Sequence, residues 1–193
     1  MIHRRKHWIF DLDGTLTKPL HDFDAIRALL GVPASRGILE WLAGLPPAER
    51  APLVHKLDRH ELELAERAEA ADGASVVLTA LREIGCSLGI VTRNNTRNVE
   101  VTLRAARLHA FFDPDSIMTR DNARPKPDPD GIHKLLERWR GDATTGVMVG
   151  NHRHDLDAGR AAGVPTVHVA TDGVFEWPDL ADVRVRSLRE LVP

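Results

Sequence analysis

The chain has 193 residues, 42% hydrophobic and 28% charged, which gives room for one full α/β core with a small accessory unit and excludes disorder. A formal net charge of -2 offers no electrostatic reason to expect nucleic acid or an anionic membrane as partner, although a locally positive site for a phosphate ester remains compatible with it. The single cysteine, Cys86, has no internal disulfide partner and reads as a small core residue in a fold suited to a reducing cytoplasm.

Arg4, Arg5 and Lys6 are followed by only three apolar residues, too few for a signal peptide. No stretch approaches the roughly 18 apolar residues of a membrane span. The expectation is a soluble cytoplasmic protein with no membrane partner.

Trp8, Ile9 and Phe10 form a short, continuous apolar run that suits a strand buried on both faces of a parallel sheet. It stops at Asp11-Leu12-Asp13-Gly14-Thr15, where Gly14 permits a tight turn and two acids can address a pocket beyond the strand end. Such closely placed carboxylates repel unless a cation or a shared proton compensates, and magnesium prefers these hard oxygen ligands. An acidic turn with Asp13 as a helix cap is the plainer reading of the same residues.

From Lys18 to Gly73 the chain reads as helical, over Asp24–Leu30, Gly37–Leu42 and about Ala48–Ala70, with Pro52 as the interruption. That length far exceeds the dozen or so residues a crossover between parallel strands needs, so the segment is expected as an inserted helical cap. A helical cover over one sheet face is the alternative. From Ser75 helices and strands alternate: helix Val76–Ile84, strand Ser87–Val91, helix Asn95–Leu108, strand Ile117–Met118, helix Asp130–Arg140, strand Val147–Val149, helix Asp155–Ala162 and strand Thr166–Val169. This pattern predicts a parallel sheet with right-handed crossovers and a site beyond the carboxyl ends of its strands. Trp177-Pro178 predicts a loop and Ser187–Val192 a last short helix.

Three further signals fall at the same edge. Thr92 ends a strand and precedes Arg93, Asn94 and Asn95, offering a hydroxyl and backbone amides to an anion, though ordinary helix capping uses the same residues. Lys126 stands between Pro125 and Pro127, a stiff setting for a cation, although a lone lysine is commonly a solvated surface group. Gly150-Asn151-His152-Arg153-His154-Asp155 brings an amide and a carboxylate to the end of the strand Val147–Val149.

Taken together, Asp11-Leu12-Asp13-Gly14-Thr15, Thr92, Lys126 in its Lys-Pro-Asp-Pro context and Gly150–Asp155 resemble the four ordered motifs of the haloacid dehalogenase-like hydrolases. The helical insertion resembles the phosphoglycolate-phosphatase-like group with a small helical cap. The resemblance spans about residues 7 to 172, and four motifs in order are far more specific than any one of them. It implies a Rossmann-like core over 1–17 and 74–193, with helices on both sheet faces, and a cap over 18–73.

The resemblance further implies a magnesium-dependent phosphatase acting on a small phosphorylated metabolite through an aspartyl-phosphate. Asp11 would be the nucleophile and Asp13 the acid and base. Thr92 and Lys126 would stabilise the phosphoryl group, with Arg93 and Asn94 binding substrate. Asp11, Asp13 through its backbone carbonyl, Asn151 and Asp155 would surround the metal. The presence of Asp13 argues against a dehalogenase, since a departing halide needs no proton. One departure stands out: the family usually has Gly-Asp where this chain has Gly150-Asn151, so either magnesium binds more weakly or Asp155 takes over coordination.

A phosphoglucomutase-like transferase uses the same two acids and is one alternative. A catalytically weak phosphometabolite-binding protein is another, supported by Asn151 alone. His152 and His154 suggest a transition-metal site less well than a surface pair, while His21 and Asp22 are placed to meet substrate. A hinge for cap closure is expected around Ala74 and Ser75.

Overall fold

The structure, a computed structural model, describes residues 2–193; Met1, at the start of the expected core segment 1–17, lies outside the described residues. Its centre is β1 (His7–Phe10), whose four residues are all buried. Trp8 and Phe10 point to one side and Ile9 to the other, the period of two that a strand imposes. With β2 (Ser87–Val91), β3 (Ile117–Met118), β4 (Gly146–Gly150), β5 (Thr166–Val169) and β6 (Val183–Val185) it forms one parallel sheet in the order β3-β2-β1-β4-β5-β6.

The register sets the position of everything functional. Phe10 lies opposite both Ile90 of β2 and Val149 of β4, so the three strands run out side by side. Asp11, Thr92 and Asn151 therefore leave the same sheet edge within a residue or two of one another. The chain builds outward from β1 to β3 and then crosses back to β4 on the other side of β1, which makes this edge the point where the order reverses and a crevice opens.

Both faces are covered. Trp8, Phe10, Ile90 and Val149 pack against Val77, Leu78 and Leu81 of α4 (Ala74–Glu83) and Val99 and Leu103 of α5 (Thr96–Ala105), all in one apolar cluster. Ile9, Val91 and Met148 meet Ile132, Leu135 and Leu136 of α6 (Asp130–Arg138) and Ala158 of α7 (Arg153–Ala161) on the other side. The expected Rossmann-like α/β architecture is the one observed.

Between β1 and β2 lie α1 (Phe23–Leu30), α2 (Ile38–Ala43) and α3 (Pro47–Ala65), which bury Ile26, Leu30, Val32, Leu42 and Leu57 in an apolar cluster of their own. The chain enters and leaves this helical segment through a narrow antiparallel pairing: Thr17 bridges Ala70, the Lys18 amide donates to the Glu69 carbonyl, and the Ala71 amide to that of Leu16. Pro52 does not interrupt α3 as the sequence suggests. Pro52 and Ala48, whose carbonyl loses its amide donor, are both exposed, so water can satisfy the freed oxygen.

Other boundaries differ for physical reasons. α3 ends at Ala65 rather than near Ala70, because residues 69–71 pair with the segment leaving β1. α7 begins at Arg153, two residues before the expected start, since His152 caps it and Asp155 returns a bond to the His152 amide. Ala74 and Ser75, expected as a hinge, lie in the first turn of α4, with Ala74 fully buried. β6 has no counterpart among the expected strands, because Val183-Arg184-Val185 is only three residues long and alternates in burial at a sheet edge.

Polar ties hold α3 to the core. Arg120, just past β3, donates from Nη2 to Asp58 Oδ1 at 2.5 Å and to Glu61 Oε2 at 2.9 Å, and the Asn95 amide side chain donates to Asp58 at 2.9 Å. The Glu61 side chain is 12% exposed, and burial pushes its pKa up despite the adjacent guanidinium. Arg120→Ala strands this carboxylate, so denaturant titration should show a loss of roughly 2–4 kcal/mol, partly recovered by adding Glu61→Gln. A loss within experimental error would mean that the ion pair does not hold α3 in place.

Candidate active site

Asp11 follows β1 directly, and its amide still donates to the Val149 carbonyl at 2.9 Å, so the strand geometry fixes where its side chain begins. The chain then turns through Leu12–Leu16 with Gly14 at a φ of 85°, a value that glycine alone adopts without strain. A Cβ there would also lie 2.6 Å from the Asn151 side chain, so Gly14 serves both the turn and the close approach. Gly150, at the end of β4, serves the close approach alone: a Cβ there would meet that of Asp155 at 2.3 Å.

Lys126 is the organising cation. Its ammonium is 2.7 Å from Asp11 Oδ1 and 2.7 Å from Asp155 Oδ1, with its side chain 1% exposed. Asp155 Oδ2 meanwhile accepts from the His152 amide at 2.9 Å. Both Asp155 oxygens are therefore engaged, one with the lysine and one with the start of α7.

Thr15 links Asp11 to Asn151. Its hydroxyl lies 3.1 Å from Asp11 Oδ2 and 3.1 Å from Asn151 Oδ1. One hydroxyl proton can serve only one of these acceptors, so a second oxygen lone pair remains free in this corner. On the other side, the Thr92 hydroxyl accepts from the Asn94 amide at 3.1 Å, and Asn94 Nδ2 donates to Asp13 Oδ2 at 3.3 Å. Arg93 donates to the Lys126 carbonyl at 2.5 Å and to Glu40 of α2 at 2.7 Å.

All eight residues expected at the site border one cavity of about 190 Å³. The opposite wall comes from α1–α3, where Ile26, Ile38, Leu39 and Leu57 are apolar. The sequence matches the family of haloacid dehalogenase-like hydrolases over residues 6–163. The chain belongs to that family.

Among its relatives, a phosphoglycolate phosphatase from Xanthomonas campestris pv. campestris is 32% identical, with 95% of this chain aligned to 93% of that protein. An N-acetylmuramic acid 6-phosphate phosphatase from Pseudomonas aeruginosa is 29% identical over 98% of this chain and 94% of its own. A family IA haloacid dehalogenase hydrolase from Entamoeba histolytica shares the fold with a TM-score of 0.77 at 20% identity, covering 96% of this chain and 94% of that one. This hydrolase is an enzyme, and its fold is that of its family.

The electrostatics of the hydrolase site follow from dryness. Burial, together with Asp155 and Asp13 nearby, pushes Asp11 up to about 7 against the pull of Lys126. Burial also works against the Lys126 ammonium, but Asp11 and Asp155 outweigh it and hold its pKa above the usual lysine value. The His152 and His154 rings stack with Nδ1 atoms 2.8 Å apart, and burial with Arg93 alongside drives His154 down to about 4. Among the described residues no three carboxylate, imidazole or thiol side chains cluster as a metal site, so the histidine pair has no third such ligand.

His21 borders the cavity as expected, whereas Asp22 does not: its carboxylate accepts from the Asp24 and Ala25 amides and caps α1. Sequence reasoning missed Thr15 as a link between Asp11 and Asn151, although the residue lies inside the first motif. It also missed Arg27, Glu61 and Arg120, which border the cavity from segments that carry no motif. Among the described residues no helix is long and apolar enough to cross a membrane.

Proposed function

We propose that this hydrolase is a cytoplasmic, magnesium-dependent phosphatase that cleaves a small phosphomonoester through an aspartyl-phosphate on Asp11. The observation that carries the reading is the Asp11–Lys126–Asp155 chain at the end of β1, with Asp13 beside it in the same cavity. The names of its relatives as phosphatases support it.

Asp11 attacks phosphorus, and its Oδ1 is already held by Lys126, which fixes the direction of attack and offsets charge as the phosphoryl group arrives. Asp13 gives a proton to the leaving oxygen and then takes one from the water that opens the acyl phosphate. Asn94, bonded to Asp13, orients that carboxylate. Thr92 and nearby amides hold phosphoryl oxygens. Asp155 keeps Lys126 in place from behind, and residues 18–73 act as a cap that bounds the site and keeps bulk water out.

The donor set fits a hard dication. Asp11 Oδ2 and Asn151 Oδ1 both converge on the Thr15 hydroxyl, and no sulfur and only oxygen donors meet in that corner. Asp11, Asn151 and the Asp13 carbonyl would hold magnesium there, with Asp155, engaged by Lys126, nearby. Bound magnesium would supply positive charge to the phosphoryl oxygens and to the crowded carboxylates.

Purified protein offered a panel of phosphorylated metabolites with magnesium should release inorganic phosphate, and chelation should stop it. No release at any magnesium concentration would sink the proposal, and transfer between positions of a sugar phosphate would point to a mutase instead. Asn151→Asp restores an anionic donor, so the magnesium concentration for half-maximal activity should fall on the order of tenfold, as affinity follows ligand charge. Thermal-shift titration with magnesium should move in parallel. An unchanged titration in both measurements would remove Asn151 from the metal shell.

A further inference from the structure

The walls of the cavity carry four acids and four Lys or Arg side chains, and three of those cations are fully committed. Lys126 lies between Asp11 and Asp155, Arg120 between Asp58 and Glu61, and Arg93 between Glu40 and the Lys126 carbonyl. Arg27 is different. Its Nη1 meets Asp24 Oδ1 at 3.0 Å, but the Asp24 side chain is 95% exposed and the pair is therefore a weak surface contact. The Arg27 Nε is buried and has no partner.

That orphan is unusual within this molecule. Among the described residues only three buried side-chain polar atoms are unpartnered, the other two being Nδ1 of His7 and Nδ1 of His168. A neutral imidazole can place a bare lone pair at Nδ1, whereas an arginine Nε always carries a proton to donate. Phe23, Ile26 and Arg27 occupy one face of α1, at i, i+3 and i+4, and all three border the cavity. Apart from Glu61, which Arg120 holds, and Arg27 itself, the wall contributed by α1–α3 is apolar, so the only acid paired with Arg27 is the exposed Asp24, and its Nε has no partner.

We propose that Arg27 selects the substrate by pairing with an anionic group on the leaving alcohol, either a carboxylate or a second phosphoryl group. This rests on the phosphatase reading above. The phosphoryl end sits among Asp11, Thr92 and Lys126, short hydrocarbon lies along Ile26, Ile38 and Leu57, and the second anion meets the guanidinium. A cavity of about 190 Å³ admits only a few carbons between the two ends. A substrate with a neutral tail leaves a desolvated N–H unpaired, whereas an anionic tail makes a charge-assisted, often bidentate contact.

The test uses three linear phosphorylated alcohols of one length, ending in a carboxylate, a second phosphate or a primary amide. For the native chain kcat/KM should be about 10–100-fold higher for at least one anionic member than for the amide, and which member leads identifies the anion. Arg27→Gln should bring that ratio close to one, while Arg27→Lys, which keeps the charge but not the planar fork, should keep part of it. Equal use of the amide by the native chain overturns the inference, as does a folded Arg27→Gln protein that keeps the preference. If Arg27→Gln does not fold, the native ratio and the Arg27→Lys ratio decide. Absence of phosphate release from all three, and from p-nitrophenyl phosphate, is a different result that removes the phosphatase reading itself and this inference with it.

Discussion

Asp11→Asn is expected to lower phosphate release on the order of 10⁴-fold or more, at any magnesium concentration, because an amide oxygen cannot form the acyl phosphate. The variant should fold. Lys126 keeps its bond to Asp155, and the single amide oxygen can still accept from the ammonium while the amide nitrogen donates to the Thr15 hydroxyl, whose proton is then free for Asn151. The substitution also removes a carboxylate that burial has pushed from 3.8 to about 7. Between those values the unfolded chain is the more ionised at this residue, so the native protein loses stability here as pH rises through the window. Asp11→Asn removes that dependence, and its unfolding midpoint at neutral pH should equal or exceed the native one. Rapid quenching with labelled substrate should leave hydroxylamine-sensitive label on the native protein and none on the variant. Turnover within tenfold of native, or label retained without Asp11, would show that the nucleophile lies elsewhere.

Lys126→Met should damage both stability and activity. It leaves the carboxylates of Asp11 and Asp155 buried with no cation between them, and breaking a buried pair in this way costs about 3–5 kcal/mol. The pH dependence supplies a signature that a packing defect lacks. With the ammonium gone, Asp11, already raised by burial, loses the pull that opposed that rise and takes up a proton more readily in the folded state than in the unfolded one. Folding then binds protons, and the deficit should shrink as pH falls from 7 toward 5. Activity at neutral pH should fall at least about 10²–10³-fold, the scale seen when a charge-stabilising donor is lost from a dry site. Addition of Asp155→Asn removes one stranded charge and should recover part of the stability but little of the activity. A Lys126→Met protein as stable as native at pH 7 would contradict the ion-pair account.

The strands and their functional ends were readable because the information is local. A strand buried on both faces must be almost continuously apolar, as Trp8-Ile9-Phe10 and Val147–Val149 are, and the first polar residue after each run marks the sheet edge. The neutral Asn151 in a position that usually carries an acid was equally plain from one residue's identity. The order of the motifs then implied the fold, since parallel strands joined by right-handed crossovers bring their carboxyl ends to one side.

What the tertiary structure alone decided is which polar group meets which. Asp155, expected near the metal, bonds to Lys126 and to the start of α7, a meeting of residues 126 and 155 that arises only once β4 lies beside β1. Asp22 looked like a substrate contact and caps α1, a choice settled by the backbone amides nearest its oxygens. No motif marks Arg27, Glu61 or Arg120, since a helical period shows which side is apolar but not what faces its polar side. Only the packing of α1–α3 over the sheet edge leaves the Arg27 donor dry and unpaired while giving Arg120 two carboxylates, because desolvation depends on segments far apart in the chain.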